Sequence, residues 1–282
     1  MSNPTTGAHA RRRWRRLSGS GTVGIVSGAA ILLLMLLCAF LLPLPYDPTR
    51  PDPTSTLLPP GGGHWFGTDV NGFDVLSRVI AAGRRDLPLA LGGAFASLVV
   101  GAAIGLLISR KGKFGERAMR VLDAFQSFPL IVLSVTIVSF SGNEIQNVIY
   151  AILIINVPRF IRLVRSEALA LRESRYIEAA HAIGARPARV MFRHMLPNVI
   201  DVCLVQVSLA AANAVIVIAA LNFLGVGVSP PTPTWGSMIR DGGANVALGQ
   251  WWIVTAPGLA VFVAVSALNL LADGIQRRFS DD

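Results

Sequence analysis

Charge is scarce in this chain. Only 15% of its 282 residues are Asp, Glu, Lys or Arg and 52% are hydrophobic, whereas soluble domains carry about 25% charged residues. That composition excludes an ordinary soluble domain and belongs to a membrane protein. Cysteine is nearly absent: Cys38 and Cys203 both fall in apolar runs without metal-ligand spacing, so each is expected as a small buried hydrophobe. Among the 4 histidines, His64 has no second His, Cys or carboxylate at ligand spacing, and no metal site is expected. No G-x-x-x-x-G-K-[ST] phosphate loop occurs, so the chain is not expected to bind ATP by that device or to hold a cofactor of its own. No H-E-x-x-H occurs, no Ser, His and Asp set suggests a membrane hydrolase, and no pair of inverted broken helices marks a secondary carrier.

What the chain has instead is a series of apolar runs long enough to span a bilayer. They are Thr22 to Leu42, Leu87 to Ile108, Phe125 to Phe140, Val148 to Ile161 (interrupted near Pro158), Val199 to Leu224, and Trp251 to Ala272. The expectation is an all-α polytopic membrane protein with six transmembrane helices. Residues 1–21 form a basic tail, expected to be disordered up to the membrane surface. Residues 22–42 are the first span and too long for a cleaved signal peptide, with no small-residue cleavage site after it. Residues 43–86 are a Pro/Gly-rich extracytoplasmic loop. Within it Thr68, Asp69 and Asn71-Gly72 form a turn, and Asp74 to Ala81 form a short interfacial helix. Residues 87–275 carry the other five spans, and 276–282 are a polar tail. Gly92, Gly93, Gly101 and Gly105 give the second span small faces for close helix packing. Arg110 to Arg120 and Ser141 to Gln146 read as short polar connections. Pro230, Pro231 and Pro233 forbid a regular helix there, and Trp235 is expected as an anchor at the membrane interface. Gln206 and Asn213 stand inside the fifth span, either lining a polar path or bonding to another helix.

The net charge is +9. Six spans put both termini on one side, and twenty of the 25 Lys and Arg residues flank the spans on that side. The positive-inside rule therefore places the termini and the segment 165–198 in the cytoplasm. Charge spread over membrane-flanking loops, rather than gathered on a folded domain, also excludes a nucleic-acid partner.

The segment Glu173 to Asn198 is polar and basic between two apolar runs. Arg172 to Ile183 is rich in helix formers, with Ala179, Ala180 and Gly184 close together on it and Glu178 beside them. Gly184 suits a helix C-cap and Pro187 the first turn of a second helix; Arg186, Arg189 and Arg193 then share one face. Pro197 suits the first turn of the next apolar helix. Residue chemistry leaves two roles open: a loop resting on anionic lipid headgroups, or a plug seated in another protein.

Four motifs carry a resemblance. Glu178-Ala179-Ala180, Gly184 and Leu196-Pro197-Asn198 resemble the EAA loop of bacterial ABC-importer permeases. His64-Trp65-Phe66-Gly67-Thr68-Asp69 with Gly72 and Asp74-Val75-Leu76-Ser77-Arg78 is similar to the HxFGTDxxGRDVLSR signature of dipeptide/oligopeptide permeases, with Phe73 where that pattern has Arg. Asp123 to Pro129 and Asn222 to Gly236 match the same branch, as do Asn269-Leu270-Leu271 and Asp273-Gly274. His194 replaces the aliphatic residue of the wider superfamily, as in the peptide branch. The resemblance implies a type I ABC importer permease fold in the bacterial inner membrane, of the C-type subunit. It implies a homologous second permease, two ATPase subunits carrying ATP and Mg, and an extracytoplasmic solute-binding protein, with lipid around them. The ATPase-docking set it implies is Tyr176, Glu178, Ala179, Ala180, Gly184, Arg186, Leu196 and Pro197. Nickel and glutathione permeases of the same family, a stand-alone carrier or channel, and a membrane scaffold are the alternatives.

Overall fold

The structure, a computed structural model, describes residues 5–109, 112–141, 145–175, 177 and 187–280, with backbone alone at 5–20, 130, 141, 187, 188, 192, 194 and 280. Among the described residues the regular elements are helices, and the only strand-like pairing is a bridge between Thr68 and Asp74. In lipid every backbone N–H and C=O must be satisfied within the segment, which is the helix's property.

Helix α1 runs from Thr5 to Leu41 and α2 from Val75 to Leu107. Then come α3 (Lys113–Gln126), α4 (Leu130–Ser141) and α5 (Ile145–Arg172). A short α6 (Pro187–Val190) passes through a π turn (Met191–Met195) directly into α7 (Leu196–Phe223). Helices α8 (Trp235–Gly243) and α9 (Trp252–Ser280) complete the chain. Five described helices are long and apolar enough to cross a membrane; the α3–α4 pair, bent by 78°, makes up to six.

Several boundaries differ from the sequence expectation, each for a local reason. The basic tail is already helical from Thr5, since its Ala and Arg residues favour helix and prolong the apolar run behind them. The interfacial helix and second span are one 33-residue rod, with Pro88 inside it, and α5 continues through Pro158 for 28 residues. In membrane helices neighbours and local adjustments satisfy the carbonyl that a proline frees. The expected third span is instead broken at Ser127–Pro129. Twelve residues of α4 reach only ~18 Å, short of a ~30 Å hydrocarbon core. Lys113 to Arg120, read as a connection, is the first half of α3.

Glycine sets how closely these rods pack. A Cβ on Gly93 would lie 2.9 Å from Ile152 Cγ2, and one on Gly105 would lie 2.9 Å from the Ile161 carbonyl; at Gly101 it would strike Phe160. These three seat α2 on α5, whereas Gly92 faces open space. Gly21, Gly24 and Gly28 press α1 onto Ala267, Leu270 and Gly274 of α9. The main core lies where α2, α5, α7 and α9 meet, around Leu87, Ile152, Phe160, Ile218, Leu221 and Leu268.

The α1–α9 seam yields a prediction. A Cβ on Gly28 would sit 2.6 Å from the Ala267 carbonyl oxygen and 2.7 Å from the Leu271 nitrogen, both backbone atoms that cannot swing away. Gly28→Leu is therefore expected to pry α1 off α9 at a cost of about 1–3 kcal/mol. A thermal melt of the detergent-solubilised protein checks this; an unchanged midpoint would contradict the seam.

Candidate functional site

The end of the bundle that holds the end of α5 and the start of α7 carries a second apolar cluster, separate from the main core. Its buried members are Leu106 of α2, Val164 and Ala168 of α5, Ile177, Val190, Met195 of the π turn, and Val199 and Cys203 of α7. Local hydrogen bonding explains how the chain returns to it. After α5 ends, Glu173 N–H donates to Ala170 O (3.2 Å), Ser174 N–H to Leu171 O (3.0 Å) and Ile177 N–H to Ser174 O (3.1 Å), which reverses the chain and drops Ile177 into the cluster. Pro187 is helical in α6, and α7 has Pro197 in its first turn. The two helices are not separated, however. The π turn joins them, so the second half of the segment and the α7 span are one continuous rod.

Of the expected docking residues, Tyr176, Glu178, Ala179, Ala180, Gly184 and Arg186 lie outside the described residues. Leu196 is half-buried against the cluster and Pro197 is exposed. Arg189 and Arg193 are exposed, on the side away from buried Val190 and Met195. The neighbouring α2–α5 seam is fastened by Arg165 Nε donating to Ile108 O at 3.3 Å. Cys203 is a buried apolar packer as expected, while Cys38 is only half-buried; both are free thiols. The sequence reading missed Ile177, Val190 and Met195 as anchors, although their i, i+13, i+18 spacing across a loop leaves no periodic signal to find.

The residues expected on a path also find places. Gln206 and Asn213, seven apart on α7, share one face and are half-buried. Gln206 borders a cavity of about 520 Å³ between α5, α7 and the end of α9.

The opposite end, where α2 begins, is built differently, around polar contacts. Asp74 caps α2 by accepting Ser77 N–H at 2.7 Å, while its second oxygen pairs with His64 Nδ1 at 2.8 Å. The His64 ring stacks on Tyr46 with centroids 4.4 Å apart. Phe73 is buried under Arg78, whose guanidinium carbon lies 4.1 Å from the ring centre, so the arginine of the peptide-permease pattern is replaced by a cation–π platform. Burial pushes the Asp69 carboxyl above its ordinary pKa, against the N–H groups of Asn71 and Phe73 that it accepts at 2.9 and 3.0 Å.

Trp235 is not an interface anchor. It is buried, its Nε1–H donates to Val79 O at 3.0 Å, and its backbone N–H donates to Asp86 Oδ2 at 2.9 Å. The loop before it is pinned by Asn222, whose Nδ2 donates to Ile218 O (2.8 Å) and whose Oδ1 accepts Val228 N–H (3.0 Å). Tryptophan's amphipathic habit gave the sequence expectation, but Gly236 lets α8 approach the α7 backbone at Ala219 so closely that the indole is drawn inside.

A family model described as the binding-protein-dependent transport system inner membrane component matches residues 93–282. The chain is similar to the di/tripeptide transport system permease protein of Pseudomonas aeruginosa, at 36% identity over 90% of this chain and 86% of that one. It is similar to the dipeptide transport system permease protein of Alkalihalophilus pseudofirmus, at 34% over 90% and 83%. It is also similar to the glutathione transport system permease protein of Pectobacterium atrosepticum, at 33% over 94% and 89%.

Met195 is 1% exposed and ties the π turn to the membrane helices. Met195→Ala is expected to cost about 2–5 kcal/mol locally. Amide hydrogen exchange across 189–200 should accelerate while that of α8 is unchanged; equal protection in both proteins would refute the anchoring role.

Proposed function

The chain belongs to the binding-protein-dependent transport system inner membrane components, and on that premise we propose that it is the permease subunit of an ATP-driven importer of di- and oligopeptides. The observation that carries the cargo class is similarity over at least 90% of the chain to permeases named for dipeptide and di/tripeptide transport. The glutathione relative favours a second cargo, itself a small peptide. A homologous second permease completes the passage. Two ATPase subunits supply nucleotide chemistry, and an extracytoplasmic binding protein delivers the peptide. The arginine distribution supports cytoplasmic termini and a cytoplasmic 165–198 segment.

The coupling mechanism follows from the inward cluster. ATP draws the two ATPases together and moves the docking helix around Tyr176 to Gly184, in which Glu178, Ala179 and Ala180 meet the motor. Ile177 lies within that stretch and is buried against α2, α5 and α7. From Pro187 the chain runs as one rod through Val190, Met195, Leu196 and Pro197 into α7. A push on the segment therefore tilts α5 and α7 together instead of bending a loose loop. Close-packed bundles respond by switching between two packings rather than by deforming gradually. Gln206 and Asn213 line the passage that the tilt opens and closes.

Glu178→Lys and Gly184→Asp put a reversed charge and a new carboxylate where the motor docks. In proteoliposomes holding the whole transporter, both are expected to abolish ATP-driven trialanine uptake and uncouple ATP hydrolysis, while the variant chains still insert. Wild-type uptake in both would sink the docking assignment.

A further inference from the structure

One side of α7 is left uncovered by the rest of the chain. Val205, Gln206, Leu209, Asn213, Ile216 and Ala220 are half-buried or exposed along it, whereas Ala210, Ala211, Ala214 and Val215 on the other sides are buried. Polar groups in a membrane helix face protein or a water path rather than lipid. Gln206 and Asn213 both lie on the uncovered side. At its inward end the stripe opens into the cavity of about 520 Å³, a size typical of small-ligand sites. Asp201 stands at the mouth and is the only acidic residue in the 28-residue α7. It is exposed, and no described residue donates a hydrogen bond or ion pair to it. Gln206 and Gln276 add amide groups, and Leu163, Val202, Val205, Leu209 and Phe279 form an apolar wall.

We infer that this cavity is a cytoplasm-facing subsite for the transported peptide, in which the Asp201 carboxylate receives the peptide's α-ammonium group. The inference rests on the proposed peptide cargo. A lone carboxylate repels anionic headgroups and free anions, so the ligand is cationic where it meets Asp201. Among the described residues no group of three or more His, Cys, Asp or Glu stands together, so the cation is not a chelated metal ion. An ammonium needs one carboxylate and a hydrogen-bond acceptor, which Asp201 and the Gln206 carbonyl supply. The Gln206 amide also suits a peptide backbone, and the apolar wall suits side chains of varied shape. Asp201 lies one turn beyond Pro197, so the site sits where a peptide leaves the membrane, and its occupancy is felt as inhibition by product.

The test uses proteoliposomes of the whole transporter with the ATPases facing the bath, and the binding protein and labelled trialanine enclosed. Unlabelled trialanine in the bath is expected to inhibit ATP-driven release, and N-acetyl-trialanine, which lacks the ammonium, to need roughly tenfold more. In Asp201→Asn the two peptides are expected to inhibit at the same, higher concentration, and Asp201→Glu should restore the preference and thereby exclude failed assembly. Wild-type preference retained in Asp201→Asn, or no preference in the wild type, overturns the subsite alone. A wild-type transporter that moves no trialanine overturns the peptide reading and this ligand with it.

Discussion

The fold depends on backbone meeting backbone at glycine. Lipid tails are as apolar as leucine, so no hydrophobic force drives one membrane helix onto another, and association rests on close van der Waals contact. Gly93, Gly101 and Gly105 let α2 lie directly on α5, and Gly24, Gly28 and Gly274 do the same for α1 and α9. Each seam removes a layer of side chain that would otherwise hold the rods apart. The result is a bundle whose core is small residues and a few large ones, such as Phe160 packed where Gly101 leaves room. Such an interface has few intermediate positions, because a small slide converts contact into clash.

The two ends of the bundle use that rigidity differently. At the end where α2 begins, polar bonds lock loops to helix ends: Asp74 holds both the α2 cap and His64, Asp86 holds the start of α8, and Trp252 Nε1 donates to Thr68 O at 3.2 Å. At the other end the 187–195 stretch is held by apolar burial of Val190 and Met195, with Arg189 and Arg193 exposed. Directional bonds fix one geometry, whereas an apolar anchor tolerates rotation of the rod it holds. A part that must move under load is better served by the second kind.

Most of the architecture was legible because lipid imposes a length and a composition on any crossing segment. Five of the six expected spans are there as long helices. The misreadings share a cause: local breakers were weighed without knowing their neighbours. Pro88 and Pro158 look like stops yet sit inside continuous helices, whereas Pro129, with Ser127 and Phe128 before it, does end one. Sequence alone cannot rank them, because what decides is whether adjacent helices brace the broken turn. Trp235 went astray similarly, since its burial depends on Gly236 and on a partner 149 residues away, Asp86. Of the segment between α5 and α7, the helical conformation at Pro187 was readable from proline chemistry, whereas the unbroken run through the π turn past Pro197 was not. The anchors Ile177, Val190 and Met195 were not, because they converge only in three dimensions.

Helix α7 is where the separate observations join. Its first turn continues from the π turn that the second apolar cluster grips, and its next turns bear Asp201 and Gln206 on the uncovered side. Its far end carries Asn222, which pins the loop leading to α8. One rod thus touches the second apolar cluster, the polar stripe and the loop before α8. A rotation imposed at Met195 must turn the stripe by the same angle, since nothing beyond Pro197 in the 28-residue α7 interrupts the helix. Turning a stripe that holds nearly all of the helix's outward polar groups changes the face the helix presents, from amide and carboxylate to aliphatic. The anchored end and the polar side are therefore not joined through a chain of relays in this subunit; they are two parts of one helix.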